Sequence, residues 1–489
     1  MARILHWFRN DLRVHDNPSF YAATVNPDDE VHTCFVLSPV QWQRHDESAC
    51  KLGLLKAHLT SLQQSLHARG FSLHIRRGTD YDQEIDLVCE LMKQLGCDTL
   101  SYNEEYGSNE RRRDRQISER LKQQNIQVNR YRDQSIAPVG SVLTQEQRPY
   151  TVFTPFKKRW LMHLSNFPTA PLPAPTPRSP FKHIMEAHMP AEVDALWEGV
   201  PTRTSAFQSG EDNALKRLAH FVETALVHYD QQRDFPSLDG TSQLSPYLAL
   251  GILSPRQCLH YATQFRALSE RQSGIDCWIN ELIWRDFYIH ILYHFPGVSR
   301  HLAFKPETEQ LHWQGDGPAF KAWCEAKTGI PIVDAAMRQL LQTGWMHNRL
   351  RMICAMFLTK NLFVDWRLGE RFFMRHLVDG YLPANNGGWQ WSASTGTDAA
   401  PYFRIFNPVS QSERFDPEGR FIRHFVPELA HRNNRTIHLP LEQPEPDGKY
   451  PLPIVDLKIS RQQAIDAFKA LSAPQVHTGQ ADLFRNRKL

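Results

Sequence analysis

Residues 276–295, DCWINELIWRDFYIHILYHF, predict a long helix that is apolar nearly all round. Trp278, Glu281, and Trp284 with Arg285 follow one face of this helix. Isoleucine, leucine and phenylalanine fill much of the remaining surface, as expected for a helix buried inside a domain. A buried carboxylate and a buried guanidinium need partners. Either Glu281 and Arg285 pair with each other at i,i+4 spacing, or this face lines a ligand site.

The stretch from residue 385 to residue 391, NNGGWQW, places two tryptophans directly behind paired asparagines and paired glycines. Glycine lets a backbone approach a flat group closely, and amides hydrogen-bond the edges of heterocycles. Eight of the 12 tryptophans of the chain lie between residues 278 and 391. This density predicts either an aromatic core with a glycine turn or a site that handles planar ligands and electrons.

A third motif, WMHNRLRM at residues 345–352, carries polar groups at helical spacing. Asn348 and Met352 lie one turn apart, and with Arg349 they are placed to face the same cleft as Glu281. A solvated helix end explains the same pattern equally well.

A fourth motif, DGTSQLSP at residues 239–246, is a hydroxyl-rich turn before a helix that begins with proline. Free N–H groups at a helix N-terminus bind phosphate. An ordinary N-cap accounts for the same residues. The motif alone therefore leaves both interpretations open.

The first 133 residues alternate short apolar runs with helical patterns, which is typical of a parallel α/β sheet. The predicted strands are Arg3–Phe8, Val31–Leu37, Phe71–Arg76, Thr99–Asn103 and Val128–Arg132. The predicted helices between them are Ala49–Arg69, Asp82–Leu95 and Asn109–Gln124. No GxGxxG follows the first strand, so the common dinucleotide fingerprint is absent.

Beyond this region the residue pattern of the chain changes twice, first to a proline-rich stretch and then to a helical period. Residues 134–205 contain prolines at 168, 171, 173, 175, 177 and 180, which predict an extended interdomain connector over the surface. From residue 206 to about residue 475 the helical period dominates and predicts an all-α domain, with a late helix near 460–470.

Composition limits the class of protein. A chain of 489 residues with 41% hydrophobic content is long enough for two or three domains with large cores. The 8 cysteines form no CxxC pair, which argues against a zinc site and a secreted disulfide scaffold. The N-terminus lacks the pattern of a signal peptide, so we expect a cytoplasmic protein. The net charge is +3, so any nucleic-acid surface must be a local patch.

The ordered motifs from WFRNDLR at residues 7–13 to FRIFNP at residues 403–408 resemble the photolyase/cryptochrome family over nearly the whole chain. Within that family the chain looks like a class I cyclobutane pyrimidine dimer photolyase. The WQW of residues 389–391 has a tryptophan where DASH cryptochromes carry tyrosine. Asn348 and Met352 stand where (6-4) photolyases carry histidine-containing motifs.

The resemblance implies an N-terminal five-stranded, Rossmann-like α/β domain and a C-terminal all-α domain that binds FAD. It implies light-driven repair of pyrimidine dimers in DNA, in which excited reduced FAD gives an electron to a flipped-out dimer. A monomer with no membrane partner is expected. Two other hypotheses stay open: a cryptochrome-like blue-light photoreceptor, and a non-photochemical flavin or nucleotide enzyme.

The resemblance also implies which residues hold a U-shaped FAD. Asn385 is expected to face the flavin N5. Gln243 and Tyr381 depart from the arginine and aspartate most common in the family. The implied cofactor-binding residues are Tyr229, Thr241, Ser242, Gln243, Leu244, Ser245, Trp278, Arg285, Asp379, Gly380, Tyr381 and Asn385.

Further residues are implied for electron transfer and for DNA. Trp389, Trp366 and Trp313 match the chain of tryptophans that photoreduces the flavin. Glu281 is also expected to act in repair. Arg404 is expected on phosphates, with Lys157, Lys158 and Arg159 as further candidates. The implied residues of the dimer pocket and its rim are Arg233, Glu281, Trp284, Asn348, Arg349, Met352 and Trp391.

A second chromophore is implied between the two domains. His45, Asn109, Glu110 and Arg300 match the positions that bind 5,10-methenyltetrahydrofolate in photolyases with a folate antenna. A polar surface between domains is the competing explanation for these four residues. A deazaflavin or another flavin remains an alternative to folate.

Overall fold

A computed structural model of the chain describes residues 1–178, 194–444 and 448–472. Its first part is built on a five-stranded parallel sheet with the order β3-β2-β1-β4-β5. The strands are β1 (Arg3–Trp7), β2 (Glu30–Leu37), β3 (Leu73–Arg77), β4 (Thr99–Asn103) and β5 (Gln127–Tyr131). The predicted α/β sheet is confirmed, and every strand bound lies within two residues of its prediction.

Helices cover this sheet between the strands. They are α1 (Pro18–Thr24), α2 (Pro39–Arg44), α3 (Ala49–His67), α4 (Tyr81–Leu95) and α5 (Ser108–Lys122). Local signals set the bounds of α4: the Asp80 side chain accepts from the Gln83 N–H, and Gly96 ends the helix in the left-handed region at φ 65°. The inner strand β2 is buried along its whole length, as expected in a sheet that is covered on both faces.

The connector contains a helix that the sequence analysis did not predict, α6 (Phe153–His163). Its buried face is a single row of three aromatic residues, Phe153, Phe156 and Trp160, which is too short a pattern to stand out in sequence. The extended run before residue 178 returns to the sheet domain, where the Leu172 N–H donates to the Asp16 carboxylate over 3.0 Å. Pro180 lies outside the described residues.

From Glu211 onward the described chain is helical, which confirms the predicted all-α part. The late helix is longer than its prediction of residues 460–470. The helices are α7 (Glu211–Thr224), α8 (Tyr229–Gln232), α9 (Ser245–Ala249), α10 (Pro255–Leu268), α11 (Ser273–His294), α12 (Pro318–Cys324), α13 (Pro331–Thr343), α14 (Asn348–Met356), α15 (Trp366–His376), α16 (Leu382–Ala393), α17 (Pro408–Phe415), α18 (Arg420–Phe425) and α19 (Leu457–Ser472).

The helix α11 lies at the centre of the helical part, packed against α6, α8, α10 and α16. Its Leu282, Ile283 and Phe287 are at most 4% exposed, which confirms the prediction of a helix buried nearly all round. Among the described residues, no helix is both long and apolar enough to cross a membrane.

A buried ion network joins the sheet part to the helical part. Arg256, in the first turn of α10, donates to Asp16 over 3.0 Å and to Asp133 over 2.8 Å. Arg13 also donates to Asp133, and Ser254 to Asp16. The side chains of Arg256, Asp16 and Asp133 are at most 5% exposed. The buried Asp16 carboxylate therefore takes its cation from the other part of the chain, and Asp133 shares that guanidinium with Arg13.

Replacing Arg256 with methionine is expected to destabilise the protein strongly, because it leaves the buried Asp16 carboxylate without a cation and Asp133 with Arg13 alone. We expect a loss of about 3–5 kcal/mol in the free energy of unfolding, measured as a shift of the urea midpoint. The control is Arg266→Ala on the same helix, which removes an exposed ion pair to Asp276 that is worth about 0–1 kcal/mol. Equal shifts in the two variants would contradict the assignment.

Candidate active site

A cavity of about 420 Å³ opens between α11, α14 and α16. Two helices contribute the faces predicted from their sequence spacing, Glu281 and Trp284 from α11 and Asn348 and Met352 from α14. Trp391 comes from α16, for which no helical face was predicted. The segments between residues 278 and 391 therefore form one site and not merely an aromatic core. The predicted residues that line it are Arg233, Ser245, Glu281, Trp284, Arg285, Asn348, Met352, Asp379, Tyr381, Asn385, Trp389 and Trp391.

Glu281 does not pair with Arg285, the partner that i,i+4 spacing offered. Its carboxylate instead accepts from the Arg233 guanidinium of the segment after α8 over 2.5 Å. Burial raises the pKa of the Glu281 carboxyl, although the Arg233 charge opposes this shift. The site therefore holds an acid that keeps its proton to a higher pH than an exposed glutamate.

Arg285 is held by uncharged groups. It donates to the main-chain carbonyls of Gln134 and Leu248, and its guanidinium lies 5.0 Å from the ring centroid of Tyr381. These contacts fix the side chain while leaving its positive charge toward the cavity. A cation held in this way suits an anionic group such as a diphosphate.

Asp379 has a charged partner that the sequence analysis missed. Arg351 donates to both carboxylate oxygens of Asp379, at 3.1 and 2.8 Å, and lines the cavity. A signal for Arg351 was present, because it lies three residues after Asn348 and therefore on a neighbouring part of the same helical face.

The paired asparagines at the start of α16 have different roles. Asn386 is fully buried and donates to the Glu370 carboxylate over 2.9 Å, while His301 contacts the other oxygen of that carboxylate at 2.8 Å. Asn385 lines the cavity and uses its N–H₂ group on the Glu370 main-chain carbonyl at 3.0 Å. This contact orients the amide of Asn385, so that its oxygen is the group left to accept from a ligand.

Glycine is required next to these asparagines. A Cβ atom on Gly387 would overlap the ring of Tyr288, which lines the cavity from α11. The close approach of α11 and α16 therefore depends on this position, as the sequence analysis anticipated for the glycine pair.

The three predicted relay tryptophans lie in consecutive segments that pack together. Trp389 is 2% exposed and rests on α15, where a Cβ atom on Gly369 would overlap its indole ring. The helix α15 begins at Trp366, which is fully buried. Just before that helix, the Gln314 N–H donates to the Phe363 carbonyl over 2.8 Å, which brings the neighbouring Trp313 alongside. Trp313 is half-buried. The three tryptophans, in the order Trp389, Trp366 and Trp313, therefore pass from the cavity through the core to the surface.

Several predicted cofactor residues do not line the cavity. Trp278 and Tyr229 lie in the hydrophobic core, where both pack on Phe221. In the turn 241–245, only Ser245 reaches the cavity. Leu244 occupies the N-cap position of α9, and in the part of the chain that the structure describes no side chain caps this helix. The hydroxyls of this turn therefore do not form the ordinary cap that was the alternative to phosphate binding.

The turn is instead fixed from outside by an unpredicted cation. Arg217 of α7 donates to the Ser242 carbonyl over 3.1 Å and to the Gln243 side-chain oxygen over 2.6 Å. Gln243 itself adopts φ 49° in the left-handed region. Arg217 therefore places a guanidinium beside the turn at the position where the chain lacks the family's usual arginine.

The predicted DNA-binding arginines outside the cavity differ in their surroundings. Arg349 pairs with Asp234 at 2.7 Å and lies 4.4 Å from the ring centroid of Phe415. Arg404 is exposed on the loop after α16. Neither residue lines the cavity. Any contact of Arg349 or Arg404 with DNA would therefore be made outside the cavity.

A second cavity, of about 330 Å³, contains all four residues predicted for the antenna. Glu110 accepts from the Tyr81 hydroxyl over 2.8 Å and lies 3.8 Å from the His45 ring. Asn109 contacts His45 at 3.1 Å. Arg300 lines the same cavity from the helical part, so residues from both parts of the chain form it.

The two cavities share a wall. Tyr381 and Ala249 line both of them, and the Tyr381 hydroxyl donates to the side-chain oxygen of Gln134 over 3.2 Å. Gly380, which was predicted to bind FAD, lies in the second cavity only. The tyrosine at 381, which departs from the common family residue, therefore forms part of the partition between the cavities.

The remaining residues of the first cavity carried no usable signal in the sequence, apart from Tyr288 on the predicted α11 face. They are small or apolar residues whose positions depend on how the helices pack. They are Leu248, Ala249, Ala355, Phe373, Leu377, Ala384 and Ser392, whereas Gly388, which also lines the cavity, belongs to the NNGGWQW motif.

Comparison with known proteins matches both parts of the chain. Residues 4–178 match the family model described as DNA photolyase, and residues 278–470 match the FAD binding domain of DNA photolyase. The deoxyribodipyrimidine photo-lyase of Escherichia coli is 42% identical over 96% of this chain and 99% of its own. The deoxyribodipyrimidine photo-lyase of Vibrio cholerae is 41% identical over 95% of this chain and 99% of its own.

Solved structures show the same fold. A bacterial class III photolyase from Agrobacterium tumefaciens superposes with a TM-score of 0.87 at 34% identity, covering 96% of this chain and 98% of that chain. A cryptochrome from Synechocystis gives 0.86 at 28% identity, covering 96% and 99%. The chain therefore belongs to the photolyase/cryptochrome family, is an enzyme of the deoxyribodipyrimidine photo-lyase type, and takes FAD as its cofactor.

Proposed function

We propose that the chain repairs cyclobutane pyrimidine dimers in DNA under blue light. The observation that supports this best is the composition of the first cavity: two half-exposed indoles, Trp284 and Trp391, together with the polar groups of Glu281 and Asn348. Flat apolar faces with a few hydrogen-bonding groups suit a pair of fused pyrimidines, which have apolar faces and polar edges.

The cavity also fits the cofactor of the family. Arg285 and Ser245 would hold the diphosphate, and Asp379 and Asn385 would hydrogen-bond the ring system, because these residues bring a cation, a hydroxyl, a carboxylate and an oriented amide to one space. Bound FAD supplies light absorption and the electron that opens the cyclobutane ring.

The dimer must leave the duplex to reach this cavity. Photolyases are among the standard examples of base-flipping enzymes, and extrusion costs a few kcal/mol, least for a damaged base. Trp284 and Trp391 would repay part of this cost by stacking. Glu281 would donate to a pyrimidine carbonyl in its protonated form, and Asn348 would bond the neighbouring polar edge.

The surroundings of the cavity offer cations for the DNA backbone. Arg404 and Lys158 are exposed, and Lys157 and Arg159 are half-buried on α6. Arg349 would exchange Asp234 for a phosphate when DNA binds. Such contacts add affinity without reading sequence, as repair of dimers in any sequence requires.

The tryptophan series would return the flavin to its reduced form. The indole N–H groups of Trp366 and Trp389 are buried and have no hydrogen-bond partner among the described residues. An oxidised indole in this position has no group to take its proton, so the positive charge is free to pass outward. At Trp313 the half-buried ring reaches solvent, which can accept the proton.

A photosensor without repair is the second candidate function, because the Synechocystis cryptochrome shares the fold. The acidic, aromatic and thioether side chains of Glu281, Trp284 and Met352 in the cavity lining favour repair. The test is light-dependent repair of dimer-containing DNA by the purified protein, together with an absorption spectrum of its extracted chromophores. Flavin that responds to blue light without any repair would establish the sensor and overturn the proposal.

We further propose that the second cavity binds 5,10-methenyltetrahydrofolate as an antenna. The Glu110 carboxylate would accept from the amino group and ring N–H of the pterin, and Arg300 would face its glutamate carboxylate. A flavin is the other candidate, because a photolyase from Sulfolobus tokodaii with 30% identity and a TM-score of 0.80 contains two FAD molecules.

Changing Trp389 to phenylalanine is expected to stop reduction of the bound flavin by light. Phenylalanine is much harder to oxidise, and a one-electron potential difference of only about 59 mV already costs a factor of ten at equilibrium. Bleaching of flavin absorbance under blue light with an external thiol measures this rate. The control is Trp323→Phe, because Trp323 is another buried tryptophan beside Trp389, with ring centroids 6.1 Å apart, and is not assigned to the relay. Photoreduction lost in the control and kept in Trp389→Phe would reverse the assignment.

The affinity for dimer-containing DNA is expected to fall with rising pH. Burial raises the pKa of Glu281, so the protonated, donating form is present below that pKa and is lost as the pH rises through it. One hydrogen bond corresponds to a change of about two- to tenfold. Glu281→Gln donates at every pH, so its affinity should not follow this titration. Identical pH profiles for the wild type and Glu281→Gln would rule out a protonated Glu281.

Replacing Glu110 with alanine is expected to abolish the near-ultraviolet absorbance that methenyltetrahydrofolate adds on reconstitution. Repair should then fall in dim light only. Glu119→Ala, an exposed change on the same helix, is the control. A wild-type protein that gains no absorbance and transfers no energy to FAD would end the folate assignment.

A further inference from the structure

The ring of Phe153, the first residue of α6, lies face to face with the indole of Trp284. The two rings are parallel within 5° and their centroids are 3.6 Å apart, so they overlap almost completely. Phe153 is 6% exposed, whereas Trp284 is half-exposed and lines the first cavity. One face of the indole is therefore covered by Phe153, while the ring also meets Tyr288 at a centroid distance of 5.6 Å and borders the cavity.

This arrangement is not the one that two aromatic rings prefer by themselves. Their quadrupoles favour offset or edge-to-face contacts over a full face-to-face stack. Phe287 packs edge-on against both rings, at 5.8 Å from Phe153 and 5.6 Å from Trp284. The surrounding core therefore fixes the pair, and the indole has little freedom to tilt.

The same segment is tied to the other indole wall. The Phe153 N–H donates to the Asp398 carboxylate over 3.2 Å, and the Thr397 hydroxyl donates to the Thr151 carbonyl. The loop that carries these residues folds back on α16, where the Ala400 N–H donates to the Trp391 carbonyl over 3.2 Å. Asp398 is in the left-handed region at φ 45°, a conformation that a non-glycine residue keeps only when its contacts hold it.

We propose that the segment from Thr151 to Phe153, here called the brace, is a positioning element that sets the orientation and spacing of Trp284 and Trp391 for a pair of fused pyrimidines. Phe153 does not line the cavity, so it acts through Trp284 and does not touch the substrate. This inference rests on the proposed dimer pocket. The brace belongs to the connector between the two parts of the chain. The connector would therefore contribute to the discrimination between damaged and undamaged DNA.

The brace has a mechanical consequence for selectivity. An indole fixed on one face presents the other face at a constant angle, which suits a rigid, fused pair of bases. A freely tilting indole would stack equally well on a single flexible base, because base–aromatic stacking tolerates many partners. Rigid support therefore contributes more to binding of the dimer than to binding of ordinary DNA.

The test is a double-mutant cycle between Phe153→Leu and Trp284→Ala. The readout is the ratio of the dissociation constants for undamaged and dimer-containing DNA, measured on the FAD-loaded protein. Phe153→Leu should lower this ratio about three- to tenfold, the range of an aromatic pair, with affinity for undamaged DNA unchanged. In the Trp284→Ala background, Phe153→Leu should change nothing further, because the residue acts through the indole.

The matched control is Phe156→Leu, one turn further along α6. Phe156 is 1% exposed and packs on Phe287 and His290, with no ring contact to Trp284 among the described residues. This variant should lower the unfolding midpoint without changing the selectivity ratio. Equal losses of selectivity in both phenylalanine variants would show a general effect of core packing and overturn the proposal.

The outcomes also separate this inference from the proposed function. If Trp284→Ala keeps full selectivity, the indole does not stack on a dimer, and the proposed pocket fails. If Trp284→Ala loses selectivity while Phe153→Leu keeps it, the pocket stands and the brace is refuted. Additive effects of the two changes would likewise refute the brace.

Discussion

The architecture depends on one buried carboxylate, that of Asp286 in the middle of α11. It accepts from the main-chain N–H of Ile136 over 3.1 Å, from that of Ala137 over 2.9 Å, and from the indole N–H of Trp160 over 3.0 Å. Burial still raises its pKa to about 6, so these donors offset only part of the cost of burying the carboxylate. This one group fixes the start of the connector and α6 to the helix that lines the active site.

Once α11 is fixed in this way, one of its faces holds the connector and another lines the cavity. Asp286 faces the connector, and Glu281 and Trp284 face the cavity. A helix that is apolar nearly all round is able to carry both faces only if each polar group has a fixed partner. Glu281 meets this condition through Arg233, and Arg285 through the main-chain carbonyls that it binds.

The sequence predicted the elements whose physics is local. Short apolar runs located the five strands, and the 3.6-residue period located α11. Helical spacing placed Trp284 with Glu281, and Asn348 with Met352. Pairings between segments far apart in sequence were not predictable. The i,i+4 rule offered Arg285 as the partner of Glu281, whereas the fold brings Arg233 from 48 residues away. The helix α6 was missed for a similar reason. Its short aromatic row is explained only by contacts with distant residues, since Trp160 donates to Asp286 and Phe153 stacks on Trp284.

The same limit applies to the cofactor residues taken from the resemblance. Trp278 and Tyr229 match family positions, yet both lie in the hydrophobic core, Trp278 on α11 itself and Tyr229 on α8 packed against α11, and neither lines the cavity. Tyr381 shows the opposite case, because its departure from the family residue gives a ring that separates two cavities and lies beside Arg285. Motif position therefore predicts which segment forms the site. Only packing decides whether a side chain meets the ligand, supports a residue that does, or divides one ligand's space from another's.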